Sequence, residues 1–225
     1  MKLLSVSLAR SIWLFPINDL NPRGRSLYFA IFAFLAQKYS FQKFPKTADD
    51  SDLQKGIKFE HGEFRGGTNN AVTVNATIYS DGIVVDMRSS TADADDFLVE
   101  ALAAVSQEFY LPPITSFPVK KTYLSEVFVQ TEHPLSLLNE KLGNFAHLLS
   151  TKIEGFGETH WETAGITFSI DQGIQPKPTP FRFERAGNVS FSDNRYYSVA
   201  PLKTEAHLEL LNELELILLG NPYSD

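Results

Sequence analysis

The sequence predicts an α+β fold, with a mostly antiparallel sheet and four helices, and three observations lead to this prediction. A hairpin pattern surrounds Asp81-Gly82, apolar stripes recur at helical spacing, and both halves of the chain show the element order β-α-β-β-β-α. The chain has 225 residues, 43% hydrophobic and 21% charged. This composition suits one globular domain, residues 1–225, with internal halves 1–112 and 113–225.

The elements of the first half follow from local patterns. Alternating apolar residues predict strands, and apolar residues spaced by three and four predict helices. The first helix is apolar on every side from Leu27 to Ala36, which indicates either burial or a covering partner. The predicted strands are 3–15, 57–65, 71–79 and 83–88, and the predicted helices are 26–39 and a second one that starts at Ser90-Thr91 and ends before Pro112.

The hairpin around Asp81-Gly82 predicts its own register. A two-residue turn at this dipeptide needs positive φ, which glycine tolerates. The turn would place Ile78 opposite Val85 and Ala76 opposite Met87, so one face of the hairpin is apolar and the other is polar. We therefore expect a sheet with one face in water.

The second half repeats this order. Its predicted strands are 122–130, 165–171, 180–185 and 194–199, and its predicted helices are 134–152 and one from Thr204 to Gly220. Gly-Ile-Lys-Phe at 56–59 follows the first helix, and Gly-Ile-Thr-Phe at 165–168 follows the third, which suggests a duplicated unit. This element order resembles TATA-box-binding-protein-like folds, without any shared residue motif. The resemblance implies a pseudo-twofold pair of halves and carries no function.

Composition narrows the classes of function. The chain has no Cys, which excludes disulfides, thiolate metal sites and a Cys nucleophile, and fits a cytoplasmic location. With 20 Lys and Arg against 27 Asp and Glu, the net charge of −7 predicts that nucleic acid is not a partner. No apolar run is long enough to span a membrane.

The densest polar and aromatic cluster is the candidate ligand site. Side chains on the two strands 180–185 and 194–199 could orient an anionic ligand or a carboxylate, and surface ion pairing is the alternative. The residues are Arg182, Glu184, Asn194, Arg195 and Tyr196. His160 and Glu162, with His61 on a neighbouring strand, are candidate metal ligands, but nothing fixes a third ligand, so we predict no metal, no cofactor and no catalytic residue.

The aromatic content points to an interaction surface. The chain contains 18 Phe, and we predict a subunit interface at Phe29, Phe32 and Phe34 on the apolar first helix, with a Phe-rich core as the alternative. The leading hypothesis is a non-catalytic protein-interaction subunit, oligomeric or part of a complex. The alternatives are a ligand-binding protein or enzyme with a polar pocket between the halves, and a saddle-like nucleic-acid binder.

Overall fold

A computed structural model describes residues 1–47, 49–66, 70–153, 160–171, 173 and 177–220. Within these residues the chain forms eight strands and five helices, an α+β fold with an antiparallel sheet. The strands are β1 (Lys2–Leu14), β2 (Ile57–Arg65), β3 (Ala71–Tyr79), β4 (Gly82–Met87), β5 (Lys120–Gln130), β6 (Gly165–Phe168), β7 (Phe181–Arg185) and β8 (Arg195–Ala200). The helices are α1 (Ile17–Leu20), α2 (Tyr28–Lys38), α3 (Thr91–Phe109), α4 (Glu140–Lys152) and α5 (Thr204–Leu218).

The strand order is that of a duplicated unit. It runs β2-β3-β4-β1-β5-β8-β7-β6, so the order within the first four strands returns in reverse among the last four. The predicted fold class and its internal repeat are confirmed in this order of strands. The single turn α1, which follows Pro16, is a fifth helix that the sequence patterns missed, because four residues are too few to show a helical period.

The chain divides into two compact units. Unit 1 consists of Met1–Ser7, Glu126–Pro201 and Glu205–Asp225, and unit 2 consists of Leu8–Ser125 and Leu202–Thr204. The boundary between Ser125 and Glu126 lies later in the chain than the predicted division between residues 112 and 113. The assignment of the whole chain to a single domain stays a prediction.

The core of unit 2 is built from aromatic rings between the sheet and helices α2 and α3. Phe32 of α2 contacts Phe59 of β2 edge-on, with ring centroids 5.6 Å apart, and Phe97 of α3 lies 5.5 Å from Phe64. All four rings are at most 4% exposed. Much of the phenylalanine content therefore fills the core, because large rings bury the most apolar area per residue.

The hairpin forms between the predicted strands but in a different register. Ile78 lies opposite Ile83 and Ala76 opposite Val85, and Tyr79 pairs with Gly82. The turn residues are therefore Ser80 and Asp81, one position earlier than predicted. Gly82 follows these two turn residues. A side chain at this position would collide with the carbonyl oxygen of Trp13, so close packing against β1 requires a glycine here.

The core of unit 1 lies on one face of its strands. Phe183 and Tyr196 stack with centroids 4.5 Å apart and ring planes at 16°, and both are fully buried beside Leu211 of α5. The third helix differs from its prediction, because a 3-10 turn at Leu135–Leu138 precedes α4 and Asn139 caps it. Phe145 of α4 is 64% exposed.

Candidate functional site

The strands of unit 1 carry aromatic and charged side chains on the face opposite the core. Glu184 pairs with Tyr197 across the β7–β8 ladder, whereas their neighbours Phe183 and Tyr196 are fully buried on the core side. Because side chains alternate along a strand, the exposed and half-buried set shares one face. We call it the outer face of unit 1, formed by Glu126, Phe128, Arg182, Glu184, Arg195 and Tyr197.

Tyr197 is the centre of the outer face. Its hydroxyl donates a hydrogen bond of 2.5 Å to Glu126 Oε2, and its ring lies 5.1 Å from that of Phe128, with the planes inclined at 43°. Partial burial raises the pKa of Tyr197 to about 12, and the Glu126 carboxylate adds to the shift. The hydroxyl therefore stays protonated, and Tyr197 and Phe128 are both half-buried.

Two guanidinium groups flank this ring pair. Arg182 on β7 and Arg195 on β8 are exposed, and neither forms a hydrogen bond or an ion pair with any residue that the structure describes. Arg182 lies close enough to lower the pKa of Tyr197 slightly, against Glu184, which raises it. The outer face therefore offers two unpaired cations around two half-buried rings.

The structure separates two of the predicted ligand residues from the other three. Arg182, Glu184 and Arg195 share the outer face, but Tyr196 points into the core, where its hydroxyl accepts the backbone N–H of Leu135 at 2.9 Å. The expected wall of Arg, Glu, Asn and Tyr is therefore wrong as a single surface. The pairing of Arg185 with Tyr196 determines which side chains of β8 face the core. Sequence patterns do not determine this register.

Asn194 takes a structural position at the start of β8. It has a left-handed φ of 46°, which asparagine tolerates, and its carbonyl accepts the backbone N–H of Thr131 at 3.0 Å. Its side chain lines a polar cleft of about 930 Å³ together with Gln130, Glu132 and His133. It is therefore not part of the outer face.

The predicted interface residues lie on different sides of α2. Phe32 is 3% exposed and belongs to the core, so its assignment to a surface contact is wrong. Phe34 packs edge-on against Phe109 at 5.7 Å, and Phe29 is 47% exposed. The helix therefore buries one side against the aromatic core of unit 2 and leaves apolar residues exposed on the other.

Unit 2 contains a carboxylate cluster that sequence reasoning missed. Asp95 in the first turns of α3 accepts hydrogen bonds from Ser11, from Trp13 Nε1 at 2.8 Å and from the Tyr123 hydroxyl at 2.9 Å. Lys121 lies 3.8 Å from the same carboxylate and 3.7 Å from the Trp13 ring centroid. Local sequence patterns do not reveal this cluster, because only the tertiary fold brings the donors from β1 and β5 to Asp95.

A buried Ser–His pair lies within unit 1. The Ser198 hydroxyl donates to the Arg182 carbonyl and contacts His207 Nε2, both at 2.9 Å. Because the Ser198 hydroxyl has one proton and donates it to the Arg182 carbonyl, it can only accept from His207, so His207 Nε2–H is the donor. Both side chains are 0% exposed, so substrate has no access to them.

Among the described residues, no group of three His, Cys, Asp or Glu side chains is placed to hold a metal ion. His160 instead contacts Glu162 at 3.1 Å, and Glu162 also pairs with Arg185 at 2.5 Å.

Within the same described residues, no helix has the length and apolar character needed to cross a bilayer.

Comparisons with known proteins found similarity among solved structures. No protein-family model matches the chain, and no curated protein matches it in sequence. Among solved structures, the chain is similar to the Methanococcus jannaschii TBP, with 12% identity and a TM-score of 0.45 over 97% of this chain and 98% of that chain.

The prediction that nucleic acid is not a partner is corrected. It rested on the net charge of −7 alone. A net charge is a sum over all residues and does not describe one face, and the outer face of unit 1 holds two unpaired arginines despite the acidic total.

Proposed function

We propose that unit 1 binds single-stranded nucleic acid on its outer face. The observation that supports this most is the ring pair of Tyr197 and Phe128 on the same face as Arg182 and Arg195. A helix-backed antiparallel sheet that presents aromatic rings beside cations is a common surface for stacking unpaired bases.

The rings supply affinity that does not depend on charge. An aromatic ring that stacks with one base contributes about 1–3 kcal/mol, for any base. Tyr197 and Phe128 come from the neighbouring strands β8 and β5, so two bases of one strand can lie across them. In a duplex the bases already stack on one another, so this surface favours an unpaired strand.

The charged side chains of the outer face orient the nucleic-acid strand more than they strengthen its binding. Arg182 and Arg195 can each contact a phosphate bidentately, since neither is engaged with a described residue. Glu126 is held by the Tyr197 hydroxyl, and Glu184 lies opposite Tyr197, so carboxylates are available to accept base amino groups. Two phosphate contacts predict a shallow salt dependence, with a slope of about −1.4 in log K against log salt.

A fluorescence anisotropy titration tests this function. The probe is a labelled twelve-nucleotide single strand, with the matching duplex hairpin as competitor. Tyr197→Ala should weaken binding at least about fivefold, the lower end of one stacked base. The matched control is Tyr110→Ala, because Tyr110 is 88% exposed and lies in unit 2. Equal binding by the two variants, or no binding by the wild type, rejects the proposal.

The arginines have their own control. Arg195→Ala should reduce the salt slope from about −1.4 to about −0.7 and leave the preference for single strands unchanged. Arg65→Ala removes an exposed arginine from β2 of unit 2 and should leave the slope as it is. A slope that falls equally in both variants would indicate binding by overall charge and not by the outer face.

A second candidate function is protein interaction through α4, and we propose a second copy of the chain as the partner. Leu142, Phe145 and Leu148 form an exposed apolar row with exposed Lys141 beside it. The exposed side of α5 carries an acidic apolar row, Leu210, Glu213 and Ile217, so the two rows complement each other in charge. Sedimentation equilibrium should show a dimer that Phe145→Glu dissociates; a monomer in both proteins would exclude it.

The cytoplasmic location also stays a proposal. It is supported by the absence of Cys among 225 residues, which removes any need for an oxidising compartment.

A further inference from the structure

Unit 2 contains an apolar cavity of about 100 Å³ between the sheet and helices α2 and α3. Aromatic and aliphatic side chains of α2, α3, β2, β3 and β4 line it, and Asn21 is the one residue with a polar amide in the lining. All of its lining residues belong to unit 2, so nothing in the proposed nucleic-acid binding uses it.

One side of the cavity is formed by partly exposed leucines and a valine. Leu20, Leu35, Leu53, Leu102 and Val105 are each half-buried, whereas Phe32, Phe59 and Leu98 on the inner side are at most 3% exposed. The half-buried side chains mark a mouth at the surface. A ligand can therefore enter with one end inside and the other in solvent.

We propose that this cavity binds the end of an unbranched alkyl chain, with the polar head of the ligand left outside. The lining is almost entirely apolar, so a charged group that entered the cavity would lose its hydration with little to replace it. An engineered apolar cavity of about 150 Å³ stays dry and binds benzene. The smaller volume here favours a flexible chain of a few methylenes over a rigid ring.

The physical gain comes from filling space that water does not fill. Each methylene that moves from water into an apolar cavity contributes about 0.8 kcal/mol, which corresponds to about fourfold in affinity per added carbon. The gain should stop when the cavity is full, and further carbons then remain at the mouth. The chain-length dependence is therefore the signature of this site.

The test is a methyl-NMR titration of the full-length protein with butanol, hexanol and octanol. Ile31, Ile57 and Ile83 line the cavity and should show saturable shifts, with affinity rising about fourfold per carbon over the shorter alcohols. Ile166 packs against the core of unit 1 and serves as the internal control. No saturable shift, or equal shifts at Ile166, would overturn the proposal.

Filling variants give an independent readout. Ala101→Leu places three more carbons in the cavity from α3, and octanol shifts should disappear; Leu102→Phe fills it from the mouth if the first variant fails to fold. Ala103→Leu adds the same atoms at an exposed position of the same helix and should keep the octanol affinity. Unchanged affinity in a folded filling variant would contradict the assignment.

Discussion

His207 makes the stability of unit 1 sensitive to acid. Its imidazole is 0% exposed, Nε2 donates to Ser198, and Nδ1 has no partner among the described residues. Burial lowers its pKa from 6.5 to about 4, because a charged ring would lose its hydration without gaining a partner. Below pH 6.5 the unfolded chain binds the proton first, so this stability contribution is lost as the pH falls from 6.5 towards 4.

We predict that His207→Leu flattens this response. The wild type should lose about 2–3 kcal/mol of unfolding free energy between pH 7.5 and 4.5 through this residue, and the variant should not. Urea unfolding at the two pH values measures the difference, and His147→Leu, at an exposed histidine of α4, is the control. Parallel pH profiles for wild type and His207→Leu would show that the ring is already accommodated as a cation.

Asp95 connects three elements of unit 2 through one carboxylate. Ser11 and Trp13 reach it from β1, and Tyr123 reaches it from β5. Asp95→Asn keeps the shape but removes the charge and part of the accepting capacity, so we expect a loss of about 2–3 kcal/mol in the free energy of unfolding.

The control for this prediction is the next residue. Asp96 is exposed, and Asp96→Asn should change the unfolding free energy by less than about 0.5 kcal/mol. Equal urea midpoints for the two variants would mean that the donors to Asp95 find water or other acceptors at no cost.

Sequence patterns gave the outer face only in part. The alternation on β7 correctly placed Arg182 and Glu184 on one face. The phase of β8 depends on where the left-handed turn at Asn194 ends, and that turn directs Tyr197 to the outer face and Tyr196 to the core. Two adjacent tyrosines give no periodic signal to decide between them.

Helices α3 and α5 begin at threonines that bond to each other. The backbone N–H of Thr91 donates to Thr204 Oγ1 at 3.1 Å, and the N–H of Thr204 donates to Thr91 Oγ1 at 2.9 Å. Each hydroxyl therefore satisfies a first-turn donor of the other helix, which has no partner within its own helix. Both threonines are at most 4% exposed.

We predict strong coupling between these two positions. Thr91→Val and Thr204→Val should each cost about 1–2 kcal/mol, because each leaves a buried N–H without an acceptor. The double variant removes both hydroxyls at once, so a double-mutant cycle should give a coupling energy of at least about 0.5 kcal/mol. Strict additivity in urea unfolding would show that the two bonds act separately.

Helices and strands with a sustained apolar repeat could be predicted from the sequence, whereas the exact positions of the turns between them could not. Helix α3 begins at Thr91, as predicted, directly after Ser90, whose side chain accepts the backbone N–H of Asp93. The hairpin turn moved by one residue because Gly82 packs against β1, a contact between strands distant in sequence. Local turn chemistry does not contain that information.

The chemistry of individual surfaces and cores describes this chain better than its net charge and total residue counts do. A net charge of −7 does not describe the outer face of unit 1, and Phe32, predicted from the 18 Phe to lie at an interface, lies in the core of unit 2. Both totals average over surfaces with different chemistry. The outer face of unit 1 carries two unpaired arginines and two half-buried rings, whereas the core of unit 2 is built largely from buried aromatic rings.

Amide chemical-shift mapping with an unlabelled twelve-nucleotide single strand tests the proposed nucleic-acid surface most directly. We predict saturable shifts along β5 from Glu126 to Gln130, along β7 and along β8, with no shifts in α2 or α3 of unit 2. Shifts confined to unit 2, or none at millimolar oligonucleotide, would contradict the assignment of nucleic-acid binding to the outer face of unit 1.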